Sequence, residues 1–195
     1  MMKRAIAIIL MCLMVCVSAL AESDRGGKGG KGGGMDVLNE GISYLNGDGV
    51  EQDYEKAMEI FLSAQESGNK KAARYIGMMY EQGLGVDQDY EAAANWYEQG
   101  VEAGDLTSSY YLGMLYKEGK GVAQDYTKAA KLFASVAGSD NKSATGVVAA
   151  GYELGVLYEQ GLGVEQDEEK AIELYKEAAE YENEDAIAAL ERLED

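Results

Sequence analysis

Apolar positions recur at helical spacing along most of the chain, and they group into pairs. Between residues 72 and 82 the apolar side chains fall at intervals of three and four, and the same spacing returns between residues 90 and 103. This period is typical of amphipathic helices that bury one face. The pattern therefore predicts two helices joined by a short turn.

The turn between the two helices contains two glycines and recurs four times. Successive Gly-x-Gly-Val turns begin at residues 47, 83, 119 and 161, at separations of 36, 36 and 42 residues. A period of this length is typical of solenoids built from stacked helix pairs. We therefore expect an all-α solenoid of four helix-turn-helix repeats with a C-terminal capping helix. The predicted repeats are about 36–71, 72–107, 108–149 and 150–185, and the predicted cap is 186–195.

The turn glycines are interpreted as structural residues. The first of each pair can end its helix in the left-handed conformation without a side-chain penalty, and the second lets the chain double back. They follow helices rather than strands and lack a third glycine, so they do not form dinucleotide-binding motifs. These glycines are Gly47, Gly49, Gly83, Gly85, Gly119, Gly121, Gly161 and Gly163.

Three further sets of residues recur at fixed positions in each repeat. An aspartate precedes each second helix, where it can cap the free backbone amides. A glycine lies inside each first helix, at a cost of about 1 kcal/mol relative to alanine, so we expect a neighbouring helix to pass too close for a β-carbon. The aspartates are Asp53, Asp89, Asp125 and Asp167, the glycines are Gly41, Gly77, Gly113 and Gly155, and aromatic core residues are expected at Phe61, Tyr97, Phe133 and Tyr175.

The first residues are typical of a secretory signal peptide over 1–21. Lys3 and Arg4 precede an apolar stretch of 13 residues, and Ala19-Leu20-Ala21 forms a cleavage site. A membrane anchor is the alternative, although a span needs about 20 apolar residues. The Gly/Lys-rich residues 22–35 predict a flexible linker before the folded domain of 36–195. We expect an exported protein, periplasmic or secreted, with no stable membrane span after signal cleavage.

Charge and composition limit the kinds of partner and the kinds of reaction that we expect. Residues 36–195 contain 12 basic and 33 acidic residues, a net charge of −21. This charge disfavours nucleic acid and favours a partner with a basic surface, while an acidic coat that aids solubility is an equal alternative. The chain has no histidine, and both cysteines lie in the signal peptide, so we expect no enzyme activity, no cofactor and no metal site. A cell-wall or carbohydrate-active enzyme that uses carboxylates is the alternative.

The longer third interval places six extra residues between 138 and 146. A contact site on one rim of the solenoid and tolerated length variation both fit such an insertion. It contains Asn141-Lys142-Ser143, an N-glycosylation sequon if the host is eukaryotic.

The repeated sequence resembles the Sel1-like repeat (SLR), a short relative of the tetratricopeptide repeat (TPR). The resemblance covers residues 36 to about 185, and one copy reads Leu112-Gly113-x-Leu115-Tyr116-x-x-Gly119-x-Gly121-Val122-x-x-Asp125-Tyr126-x-Lys128-Ala129. It implies a right-handed superhelical solenoid whose concave face, lined by the first helices, binds other proteins. It also implies an adaptor or scaffold, with a secreted effector acting on host proteins as the alternative. We expect the protein to be a monomer.

Candidate binding residues lie on the first helices, at positions that the glycine packing does not use. Tyrosine and methionine are enriched at protein interfaces because they provide contact area and adapt to a partner. The methionines could equally form the core between repeats. The candidates for the concave, protein-binding face are Tyr75, Met78, Gln82, Tyr111, Met114, Glu118, Glu153 and Gln160.

Overall fold

The computed structural model describes residues 33–140 and 146–194, which form nine helices and no strand. The predicted signal peptide, residues 22–32 of the predicted linker and the sequon at Asn141 lie outside the described residues. The helices are α1 Gly33–Asn46, α2 Tyr54–Glu66, α3 Ala72–Gln82, α4 Tyr90–Glu102, α5 Leu106–Glu118, α6 Tyr126–Ala137, α7 Val147–Gln160, α8 Glu168–Ala179 and α9 Glu184–Glu194.

The helices stack as four antiparallel pairs followed by a cap. Each second helix packs against its own first helix and against the first helix of the next repeat, and α9 packs against α8. The predicted all-α solenoid is therefore confirmed. One boundary differs, because α1 begins at Gly33 and so includes the last three residues of the predicted linker.

The turn glycines have the predicted left-handed conformation. All eight have φ angles between 66° and 77°, and Gly83 ends α3 with its N–H bonded to the carbonyl of Met79. The second glycine has a further role, since a β-carbon on Gly85 would lie 2.7 Å from the Cβ of Tyr54. Each later turn thus stacks on the start of the preceding second helix, a contact that larger residues would prevent.

The N-caps are also as predicted, and a neighbouring glutamine supports them. The Asp89 carboxylate accepts hydrogen bonds from the backbone N–H groups of Glu91 and Ala92, each at 2.9 Å. The preceding residue, Gln88, donates from Nε2 to the carbonyl of Glu81 at 2.8 Å and so ties the turn to the end of α3. Sequence reasoning missed this brace, although a glutamine precedes each capping aspartate: Gln52, Gln88, Gln124 and Gln166.

The glycines inside the first helices make room for aromatic rings. A β-carbon on Gly77 would lie 2.8 Å from two ring carbons of Tyr97, which comes from α4 of the same repeat. The predicted close approach is confirmed, and its cause is the ring edge of the second helix. The same pairs recur as Gly41 with Phe61, Gly113 with Phe133, and Gly155 with Tyr175.

A buried ion pair links α3 to the N-cap of α5. Nη1 of Arg74 in α3 lies 3.0 Å from Oδ1 of Asp105, and both side chains are almost completely buried. Asp105 also accepts from the N–H and the hydroxyl of Ser108, so it caps α5 as well. A paired and hydrogen-bonded arrangement is what burial of two charges requires.

The capping helix α9 packs on the last repeat through part of its apolar face. Ala186 and Ala189 of α9 are buried and Leu190 and Leu193 are half-buried, whereas Ile187 is exposed. The side chain of Arg192 reaches Glu159 of α7 at 2.8 Å. The cap is therefore held by two buried alanines, two half-buried leucines and the contact of Arg192 with Glu159.

Candidate protein-interaction surface

The first helices of the second, third and fourth repeats contact one another directly. Helix α5 contacts both α3 and α7, whereas the second helices make their main contacts with first helices. In a curved stack the elements that approach one another most closely lie on the concave side. The candidate residues lie on three of these first helices, α3, α5 and α7.

Two of the candidates, Tyr75 and Met78, belong to the core. Each is 1% exposed, and the Tyr75 ring stacks on Phe61 of the preceding repeat with a centroid distance of 4.9 Å. The prediction that these two side chains contact a partner is corrected, because the packing between repeats encloses both of them.

The equivalent residues of the third repeat, Tyr111 and Met114, are half-buried and reach the surface. Tyr111 stacks on Tyr97 of α4 at 5.4 Å and meets Tyr110 edge-on at 5.3 Å. These contacts hold the ring in one orientation while part of it stays exposed. A rigid and partly exposed tyrosine of this kind is suited to an interface.

Charged and amide candidates lie at the C-terminal ends of the first helices. Glu118 is exposed and pairs with Lys120 at 2.6 Å. Gln82 is half-buried and Gln160 is exposed. Glu153 is mostly buried and forms an ion pair with Lys117, which joins α7 to α5. The structure thus brings Tyr111, Met114 and Glu118 together on α5, while Glu153 has a structural partner.

Sequence reasoning missed two half-buried carboxyl groups near the ends of α3 and α7. The Tyr97 hydroxyl donates to Oε2 of Glu81 at 2.6 Å, and the Tyr175 hydroxyl donates to Oε2 of Glu159 at 2.7 Å. The signal was present as a glutamate 16 residues before a tyrosine in the second and fourth repeats. The glutamates therefore satisfy buried hydroxyl groups.

The two carboxyl groups have opposite pKa shifts. Burial is the main cause that raises the pKa of Glu81, opposed by the Tyr97 hydrogen bond and the charge of Lys120. At Glu159 the hydrogen bond from Arg192 is the main cause that lowers the pKa. Burial also raises the pKa of both tyrosine hydroxyls, which keeps them protonated as donors.

These carboxyl and hydroxyl groups form two matching hydrogen-bonded pairs, one in the second repeat and one in the fourth. Glu81 is the kind of buried carboxyl with a raised pKa that an acid catalyst needs, but its Oε2 accepts the Tyr97 hydrogen bond in an arrangement that the fourth repeat duplicates. Nowhere in residues 33–140 and 146–194 do three acidic side chains come close enough to hold a metal ion. Within the same residues, no helix has the length and apolar character needed to cross a bilayer.

The fold and the repeat define the class of this protein. It is an α-solenoid of stacked helix pairs, and the family model described as "Sel1 repeat" matches residues 41–69, 70–105, 107–137 and 148–180. The chain therefore belongs to the Sel1 repeat family. Proteins of this family generally mediate protein–protein interactions and are typically not catalytic.

Two solved structures with similar folds come from bacteria. One is a protective antigen present in uropathogenic Escherichia coli strains and displaying an SLR fold, which is 35% identical with a TM-score of 0.70 over 78% of this chain and 32% of that one. The other is a Sel1 repeat protein from Oxalobacter formigenes, 28% identical with a TM-score of 0.69 over 79% of this chain and 61% of that one. The chain thus spans about a third and three-fifths of these relatives. No curated protein matched the chain significantly.

Proposed function

We propose that this chain is an exported, non-catalytic scaffold or adaptor that binds a protein or peptide through the first helices of its central repeats. The observation that carries the proposal is the surface of α5, where Tyr111, Met114 and Glu118 are at least partly exposed beside one another. In α3 the corresponding tyrosine and methionine are enclosed. The binding surface is therefore centred on the third repeat.

The partner has a basic surface. The whole chain has a net charge of −18, and the exposed Glu118 contributes negative charge on the same helix as Tyr111. Opposite charge on a partner speeds association and orients it, and this effect weakens as salt is added. The same negative charge opposes self-association, so the scaffold is a monomer, and it opposes binding to nucleic acid.

Export follows from the N-terminal sequence. Residues 1–21 have the charged, apolar and small-residue regions of a cleaved signal peptide. N-terminal sequencing of the protein from cell fractions tests this step, with Glu22 as the expected first residue. Recovery in the periplasm supports an envelope adaptor and recovery in the medium supports a secreted effector, while an uncleaved chain in the cytosol contradicts export.

The binding surface is tested with two charge reversals, Glu118→Lys and Glu173→Lys. Both glutamates pair with a nearby lysine, Glu118 with Lys120 on the first-helix side and Glu173 with Lys170 on α8. Proteins captured from the exported fraction by each variant and by the unchanged chain are quantified by mass spectrometry. We expect a partner that Glu173→Lys retains and Glu118→Lys loses, with capture falling as salt rises. Equal capture by all three proteins contradicts the proposal.

A further inference from the structure

A lysine departs from the repeat in the turn that follows α5. Lys120 lies two residues after Glu118, the last residue of that helix, and Gly119 separates the two. The same position is leucine in the second and fourth repeats and aspartate in the first: Leu84, Leu162 and Asp48. Both leucines are half-buried and pack against the core. The packing of the repeat is therefore compatible with an apolar side chain at this position.

Two contacts hold the Lys120 side chain. Its Nζ lies 2.6 Å from Oε2 of Glu118, and it lies over the ring of Tyr90, 5.6 Å from the centroid. The hydrogen bond to Glu118 is the main cause that raises the pKa of the Lys120 ammonium. The ammonium therefore keeps its charge and neutralises the Glu118 carboxylate.

Both members of this ion pair reach the solvent. The exposed fraction of the side chain is 49% for Lys120 and 36% for Glu118. Exposed ion pairs contribute little to stability, so a competing cation separates them at small cost. The other base at this end of α5, Lys117, pairs with Glu153 of α7. Lys120 is therefore the base that a partner has to replace at Glu118.

We propose that Lys120 competes with the partner for Glu118: its ammonium pairs with the carboxylate in the free protein, and a basic side chain of the partner displaces it. This inference rests on the function proposed above and adds the regulation of its binding surface. Exchange of one cation for another gains little by itself, because the carboxylate is paired before and after. A ligand therefore gains binding energy only from its further contacts with the exposed parts of Tyr111 and Met114. Such competition rejects ligands that offer charge alone.

The test uses the full chain and two synthetic peptides with blocked ends. The first peptide is a leucine with two arginines on each side, and the second has alanine in place of the leucine. The variants are Lys120→Leu, Glu118→Gln and the double variant. Lys170→Leu is the matched control, because it breaks the exposed ion pair with Glu173 on α8 and changes the net charge equally. Titrations followed through backbone amide shifts measure binding, and circular dichroism checks that each variant folds.

We expect the leucine peptide to shift the amides of α5 in a saturable way. Lys120→Leu should tighten its binding about two- to fivefold, the range that loss of an exposed ion pair allows. Lys170→Leu should leave the binding unchanged. In the Glu118→Gln background, Lys120→Leu should also have no effect, because the carboxylate for which the lysine competes is absent. The alanine peptide should bind more weakly than the leucine peptide.

Binding that Lys120→Leu fails to tighten overturns the inference. Equal tightening by Lys170→Leu, or by Lys120→Leu in the Glu118→Gln background, also overturns it in favour of a general effect of charge or of the added leucine. Equal binding of the two peptides contradicts the selection against charge alone. If Lys120→Leu does not fold, Lys120→Gln provides the same test.

Glu118→Gln by itself distinguishes this inference from the proposed function. It should weaken binding of the leucine peptide, because it removes the charge that attracts the arginines. If it does so while Lys120→Leu changes nothing, the competition is wrong and the binding surface stands. If neither variant changes the binding, both the competition and the surface are wrong.

Discussion

The hydroxyl of Tyr97 donates a 2.6 Å hydrogen bond to the carboxylate of Glu81, 16 residues earlier in the same repeat. Tyr175 and Glu159 form the same pair in the fourth repeat at 2.7 Å. In the first and third repeats, both members of the pair are replaced: Phe61 accompanies Leu45 and Phe133 accompanies Lys117. The hydroxyl and its acceptor therefore occur together, because a buried donor needs an acceptor and a buried acceptor needs a donor.

Removal of the donor alone should destabilise the protein. Tyr97→Phe leaves the buried carboxyl of Glu81 without this hydrogen bond, at an expected cost of about 1–3 kcal/mol in the free energy of unfolding. The double variant with Glu81→Leu reproduces the pair of the first repeat and should recover most of that loss. A double-mutant cycle from urea denaturation measures the coupling. A Tyr97→Phe cost that is the same with and without Glu81 contradicts this interpretation.

The stability contributed by Glu81 should decrease as the pH rises. Its pKa is raised in the folded state, so the folded protein retains a proton that the unfolded chain has already lost. The retained proton contributes stability that is fully present below the ordinary carboxyl pKa. That stability is lost as the pH rises through the raised pKa of the folded protein. Glu81→Gln should therefore gain stability relative to the unchanged chain between about pH 4 and pH 7. Denaturation curves at several pH values measure the difference.

Glu159 provides the matched control, because its pKa is lowered. Its contribution is present above the ordinary carboxyl pKa and is lost as the pH falls through the lowered value. Glu159→Gln should therefore lose stability relative to the unchanged chain as the pH rises from the lowered value to the ordinary carboxyl pKa of about 4.5, with no further change above it. Two substitutions at the same repeat position thus have opposite pH dependence, and parallel curves for both would be inconsistent with the structure.

Replacement by alanine should change the stability of the protein in opposite directions at two glycines of the first helices. At Gly77 the new β-carbon would lie 2.8 Å from the Tyr97 ring, and overpacking of about 1–3 kcal/mol exceeds the roughly 1 kcal/mol gained in helix propensity. At Gly151 the β-carbon meets no described atom within 4 Å, so the gain of about 1 kcal/mol remains. Thermal unfolding of the two variants should shift in opposite directions. Shifts of the same sign would mean that helix propensity, rather than packing, decides both sites.

Replacement of Asp105, the aspartate of the buried ion pair, should cost more stability than replacement of an aspartate that only caps a helix. Asp105→Ala removes the cap of α5 and leaves Arg74 buried without its 3.0 Å partner, at an expected cost of about 3–5 kcal/mol. Asp125→Ala removes only the bond to the N–H of Lys128, at about 1 kcal/mol. Urea denaturation compares the two. Equal losses would show that Asp105 contributes only as a cap.

Much of this fold can be predicted from the spacing of residues along the chain. The burial of the individual candidate binding residues cannot. Tyr75 and Tyr111 occupy the same repeat position, yet only Tyr111 reaches the surface. Tyr111 packs against the core cluster that contains Tyr75, while the next residue in this register is Glu153, which pairs with Lys117. A single repeat cannot reveal this difference, because each residue is covered by its neighbour in the following repeat.

The sequence by itself determined the helix pairs, their period, the turn glycines and the capping aspartates. Each of these depends on local conformation or on helical periodicity, which a short segment expresses without its neighbours. Only the tertiary structure decided which positions are enclosed and which acid meets Arg74 or Tyr97. Those relationships join residues 16 to 31 positions apart, and the stacking of whole repeats sets their distances.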